Sequence, residues 1–184
     1  VGPDKGQVLV TGAAGGVGSV SVALLHALGY RVAAVTGRAS SHEYLQQLGA
    51  SEIVTREEMA APARPLETQR WAGAIDTVGG DILARVLAES DYEGAVAACG
   101  LAASYKLNTT VMPFILRNVS LRGVDSVSCP LTRRETAWRR LASLLPEQAY
   151  TSMSQIVSLE EVPGAAAQIM AGRIQGRVLV DPNK

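Results

Sequence analysis

Apolar residues along this 184-residue chain fall into short β-branched runs that alternate with longer stretches at helical spacing. Val8-Leu9-Val10-Thr11 ends in glycines and predicts a buried strand. From Val17 to Leu28 the apolar positions recur as on a helix face, and Gly29 supplies the stop. Arg31–Thr36 predicts a second strand, Glu43–Leu48 a helix ended by Gly49, and Glu52–Val54 a third strand. Alternation at this spacing is the parallel α/β pattern. The polar stretch Arg56–Arg70 carries two prolines and predicts a loop with a short helical piece. Ala74–Asp76 follows as a fourth strand, Asp81–Glu89 as a helix and Gly94–Cys99 as a fifth strand. That fifth run is apolar after its glycine, as expected of a strand covered on both faces. Val119–Val124 predicts a sixth strand, and Thr132–Leu145 a helix that stops before Pro146. A helix over Glu160–Ala171, a stop at Gly172 and a strand over Arg177–Val180 form a separate unit at the end. The expected fold class is α/β, a doubly wound sheet of six parallel strands flanked by helices.

Composition narrows the function without fixing it. Apolar residues make up 47% and charged residues 18%, which suits a well-filled core. Seventeen basic and seventeen acidic residues cancel, so no broad electropositive face points to nucleic acid as a partner. No apolar run reaches the length of a membrane span. Cys99 and Cys129 lack CxxC spacing and read as structural thiols of a reducing, cytoplasmic compartment. His26 and His42 have no partner at ligand spacing, so no metal is expected. The chain opens without Met, directly into a loop and strand, and is expected to be part of something longer.

The densest signal is Thr11-Gly12-Ala13-Ala14-Gly15-Gly16-Val17-Gly18, between the first strand and the first helix. A pyrophosphate rests on a helix N-terminus only where backbone approaches closely and its N–H groups are free. Against the GxGxxG template, Ala13 to Gly18 fits with Ala13 in the first glycine's place. Its strand–turn–helix setting makes this a Rossmann-type dinucleotide site.

The second strand then selects the dinucleotide. NAD sites place an acid at its tip to bind the adenosine ribose, but here the tip is Thr36-Gly37-Arg38. Arg38 can pair with the 2′-phosphate of NADP, through charge-assisted bonds worth roughly 1.5–3 kcal/mol each. Arg56 follows the third strand, beside the second in the expected 3-2-1-4-5-6 order, and supports the same choice. NADP(H) is therefore the expected cofactor.

Thr11-Gly12-xxx-Gly16-x-Gly18 also fits the short-chain dehydrogenase turn. That family needs a Tyr followed four positions later by Lys, and none of the five tyrosines has one. The remaining blocks resemble a different family. Ala14–Gly18, Thr36-Gly37-Arg38, Trp71–Gly79, Ala97–Leu101, Thr110–Val119 and Gln175-Gly176-Arg177 are similar to the nucleotide half of the medium-chain dehydrogenase/reductases. Within them the resemblance is to the zinc-free, quinone-oxidoreductase-like branch that includes acrylyl-CoA reductase.

The resemblance implies hydride transfer from NADPH to the activated C=C bond of a 2-enoyl thioester such as acrylyl-CoA. Its alternatives are an NADPH:quinone oxidoreductase and a non-catalytic NADPH-binding module. It implies that Ala14, Gly15, Gly16 and Val17 hold the pyrophosphate, and that Thr36, Gly37, Arg38 and Arg56 hold the 2′-phosphate end. Leu101 would present backbone to the nicotinamide, and Arg177 would fold back towards the cofactor. Residues 1–150 would be the NADP-binding domain and 151–184 a tail returning to an N-terminal, barrel-like catalytic domain that this chain does not contain. No residue stands out as a catalytic acid or base. The family's dimers pair the sixth strands edge to edge, which makes Val119–Asp125 the expected homodimer edge.

Overall fold

The structure is a computed structural model that describes residues 2–184. Its strands β1 (Gln7–Val10), β2 (Arg31–Thr36), β3 (Ala50–Thr55), β4 (Trp71–Asp76), β5 (Ser90–Ala98) and β6 (Ser120–Gly123) form one sheet in the order β3-β2-β1-β4-β5-β6. Every pairing is parallel. This is the doubly wound Rossmann order that the spacing predicts.

Alternate strand residues point to opposite faces and seed two cores. Leu9, Ala33 and Val35 pack on one face with Trp71, Val86 and Leu87. Here lie α3 (Arg56–Ala60) and α4 (Gly80–Ala88). Val10, Val32 and Ala34 pack on the other with Val22, Leu45 and Leu145. That face carries α1 (Gly16–Ala27) and α2 (His42–Gln47), with α6 (Leu131–Leu144) and α7 (Glu147–Ser152) beyond.

Three departures from the sequence expectations have physical causes. β5 begins at Ser90 instead of Gly94, because a bulge intervenes: Glu93 has φ of 61°, and the pairing jumps from Trp71↔Ser90 to Gly73↔Ala95. The strand is not fully covered either. Gly94 and Val96 are buried, while Ala95, Ala97 and Ala98 are half-buried beside the short edge strand β6. Between β5 and β6 lies an unforeseen helix, α5 (Met112–Arg117), too short to show a period. It is fastened by Arg117, which donates to the carbonyls of Glu67 (2.6 Å), Ala88 (2.9 Å) and Ser90 (3.1 Å).

The C-terminal unit holds α8 (Val162–Met170) and a second sheet, in which β8 (Arg177–Val180) pairs in parallel with β7 (Ser154–Val157). β7 had no sequence signal beyond Ile156 and Val157. Cys99 and Cys129 are both free thiols. His26 lies in the last turn of α1 and His42 opens α2, as ordinary helix residues. Among the described residues no helix is long and apolar enough to cross a membrane.

Candidate functional site

The carboxyl ends of β1, β2 and β4 open onto a crevice of about 720 Å³. Its floor begins with a buried polar network. Thr11 donates to a carboxylate oxygen of Asp76 at 2.7 Å, and the Gly79 amide donates to the other at 2.9 Å. The Thr77 amide donates to the Thr11 hydroxyl and the Thr77 hydroxyl to the Thr11 carbonyl, both at 2.9 Å. Asp76 and Thr11 are wholly buried; the three bonds through Thr11 tie the end of β1 to the end of β4, and the Gly79 bond closes the turn after β4. Satisfied networks of this kind fix geometry because leaving any member unpaired is costly.

On this floor stands the glycine turn. The residue with positive φ is Gly12, at 58°, one place before the template's first glycine. Ala13 is therefore tolerated, since the left-handed step is taken before it. A side chain at Gly12 would meet Thr77 and Val78. A Cβ at Gly18 would strike the Gly12 carbonyl oxygen and, at 2.6 Å, the Ala13 Cα, so this glycine lets α1 pack against the turn. Gly15 caps the helix with extended backbone, and the first internal bond runs from the Ser19 amide to the Gly15 carbonyl at 2.8 Å. The amides of Gly16, Val17 and Gly18 precede that bond and have no acceptor within the helix.

The sequence-predicted residues converge here, with exceptions. Ala14, Gly15, Gly16, Thr36, Arg38, Arg56 and Arg177 all line the crevice. Gly37 lies beneath Arg56, whose Nε would be 3.0 Å from a Cβ there, so its bareness seats the guanidinium. Val17 and Leu101 do not line it; they are 46% and 65% exposed. The crevice wall after β5 is formed by Ala102 and Ala103 instead. Thr77 and Val78 at the β4 tip also line it, unassigned by sequence, although the glycine pair after them, with φ of 69° and 63°, marks a forced turn.

The two arginines at the β2 and β3 tips differ. Arg38 donates to the carbonyls of Gly172 (2.7 Å) and Ile174 (3.0 Å), beyond α8. Burial, then the neighbouring Arg56 charge, lower its pKa below the usual guanidinium range. Neither arginine forms an ion pair among the described residues. Two like charges held close with no carboxylate between them make a well for an anion.

The C-terminal unit forms the opposite wall. Gln175 donates to the Ser41 hydroxyl at 2.9 Å, and the Gly176 amide to the Ala14 carbonyl at 3.0 Å. The Arg177 guanidinium lies directly over Gly16, in the space its missing Cβ would fill. A strap from Gly172 to Arg177 thus spans the crevice from the Arg38 end to the start of α1. At the β5 tip Cys99 donates to the Asp76 carbonyl at 3.3 Å, and burial pushes its thiol pKa up. Among the described residues no cluster of His, Cys, Asp or Glu is placed to hold a metal ion.

Known proteins share this arrangement. The acrylyl-CoA reductase AcuI of Ruegeria pomeroyi is 52% identical over 182 residues, which are 98% of this chain and 55% of that protein. The yhdH oxidoreductase of Salmonella enterica, solved in complex with NADP, is 57% identical with a TM-score of 0.96. The match covers 98% of this chain and 56% of that one. The Bacillus subtilis protein yhfP, solved with NAD bound, is 47% identical with a TM-score of 0.91, again over 98% and 56%. The chain thus spans little more than half the length of these relatives. Residues 16–144, from the bare start of α1 to the end of α6, match the zinc-binding dehydrogenase family. With the strand order, the glycine turn and the relatives in agreement, the chain belongs to that family and corresponds to the nucleotide-binding half of a medium-chain dehydrogenase/reductase.

Proposed function

We propose that this chain is the NADP(H)-binding half of a reductase that delivers hydride to the activated C=C bond of a 2-enoyl thioester such as acrylyl-CoA. The observation that carries the cofactor is the shape and charge of the crevice. Bare backbone at Gly15 and Gly16 lets a diphosphate approach the positive end of α1. Arg177 lies over that point, and Arg38 with Arg56 forms the anion well where a 2′-phosphate would sit. Thr36 and Gly37 shape the well, and Leu101 offers backbone near the nicotinamide end. When bound, the cofactor supplies the hydride. The chain's own residues bind and orient it, and the strap closes one wall against water.

The thioester reading is supported by the similarity to AcuI. Quinone reduction is the alternative, and a non-catalytic NADPH-binding module is the reading from another class. The remainder of the relatives' length accounts for the second wall of the cleft, with residues 1–150 as the cofactor domain and 151–184 as the tail that joins the two. The exposed β6 edge is the surface proposed for homodimer pairing, in a cytoplasmic enzyme. Mixing the complete protein with NADPH and acrylyl-CoA, and following absorbance of the reduced cofactor, tests the reading. Oxidation is expected with the thioester and not with a simple quinone; tight NADPH binding without turnover of either leaves only the binding module.

A further inference from the structure

Charge in this chain is balanced overall but not locally. From Leu131 to Leu145 there are four arginines, at 133, 134, 139 and 140, against one carboxylate, Glu135. None of the four forms an ion pair among the described residues. Arg134 donates to the Ser126 carbonyl at 2.7 Å, and Arg139 reaches only groups of its own helix, at 3.4 and 3.5 Å. Arg133 and Arg140, two turns apart, share a face of α6. Both are exposed.

The sequence at the start of α6 works against the helix. Its first turn holds no acid, its N-cap Pro130 provides no side-chain bond, and Arg133 and Arg134 stand near the positive end of the dipole. A segment that breaks local rules without internal compensation marks a functional surface. Apolar groups stand among the charges: Val127 is 88% exposed, Leu131 68% and Trp138 65%, with Trp138 one turn from Arg134.

The position relative to the crevice decides what this surface serves. Gly123 at the end of β6 pairs with Ala98 at the end of β5, and the Val124 amide donates to the Ala98 carbonyl at 2.9 Å. The segment leading into α6 therefore leaves the sheet at the same edge as Ala102 and Ala103, which line the crevice. We propose that the face of α6 bearing Arg133 and Arg140 docks the nucleotide end of a coenzyme A thioester. The arginines take its phosphates. This rests on the thioester-reductase reading and explains how such a chain favours a phosphate-bearing ester over a quinone.

The test uses the complete reductase. Arg133→Glu with Arg140→Glu is expected to raise KM for acrylyl-CoA about tenfold or more. Under the proposal KM for NADPH and for the acrylyl thioester of pantetheine, which lacks the phosphates, stays unchanged. Equal rises for both esters, or no rise for either, overturn the docking while the reductase stands. Binding of adenosine 3′,5′-bisphosphate, measured by calorimetry with NADPH saturating its own crevice, separates the two readings. One-to-one binding that the double variant abolishes supports the docking, whatever the turnover. No binding, or equal binding of inorganic phosphate, overturns it. Failure of both esters to oxidise NADPH instead overturns the reductase reading.

Discussion

The floor of the crevice and the strap across it are built from opposite materials. The floor, from Thr11 to Gly18 and Asp76 to Gly80, is anchored on buried Thr11 and Asp76 and closed by reciprocal hydrogen bonds between the ends of neighbouring strands and across the turn after β4. The strap, from Gly172 to Arg177, is exposed or half-buried except at Gly176, and is held to the rest of the crevice by a few bonds to residues far away along the chain. One region has a single low-energy arrangement; the other makes contacts that can be exchanged for a ligand's. Rigidity where the phosphates land, and exchangeable bonds above them, suit a site that must open and close.

The largest effect should come from breaking the floor. Asp76→Ala strands the Thr11 hydroxyl and the Gly79 amide in a dry interior, at about 1–3 kcal/mol for each orphaned group. Chemical denaturation should show a loss of several kcal/mol, on the order of the two together. A loss below about 1 kcal/mol would mean that water replaces the carboxylate and that the floor is not closed. Gly18→Ala comes next. Its methyl group would meet backbone, which cannot swing aside, and overpacking of that kind costs about 1–3 kcal/mol. Thermal melting should record the loss with or without NADPH.

The same contrast explains what the sequence discloses. Six strands and the turn were legible because period and glycine placement are local and backbone-driven. That the left-handed step falls on Gly12, one place before the template begins, was not, because the template fixes spacing and not φ. The bulged start of β5, from Ser90 to Glu93, and six-residue α5 escaped for want of a period, and β7 because a four-residue strand with only Val157 buried carries no pattern. Within the site, Arg38 and Arg56 were found from charge and position and Arg177 from the family resemblance, yet the bonds of Arg38 to Gly172 and Ile174 were invisible. They join carbonyls, which every residue has, across most of the chain. Leu101 illustrates the converse: it follows β5 closely in sequence, but it is exposed and outside the crevice lining.

The two arginines sharpen the comparison, since one belongs to floor and strap alike and the other to the floor's edge alone. Arg56→Ala should weaken NADPH by about 10- to 100-fold, the worth of one charge-assisted pair, and leave NADH unchanged. Arg38→Ala should weaken NADPH at least as much and NADH measurably, because the strap loses both its bonds to that guanidinium. Titrations of both cofactors, with limited proteolysis between Met170 and Val178, separate the roles. An Arg56→Ala protein with an unaltered NADPH to NADH preference would remove Arg56 from the phosphate site.

Gly16→Ala should have the smallest effect on the fold and a clear one on the ligand. In the first turn of α1, alanine is intrinsically favoured over glycine by about 0.5–1 kcal/mol. The new Cβ would enter the space of the Arg177 guanidinium, the far end of a flexible side chain that can swing away cheaply. The melting temperature should therefore hold or rise slightly, whereas a diphosphate approaching the same amide would meet the methyl group and bind less tightly. NADPH and NADH should lose affinity by equal factors, because the substitution lies under the part they share. A protein destabilised by more than about 1 kcal/mol instead would show that Arg177 is locked in place and that the strap, like the floor, has only one arrangement.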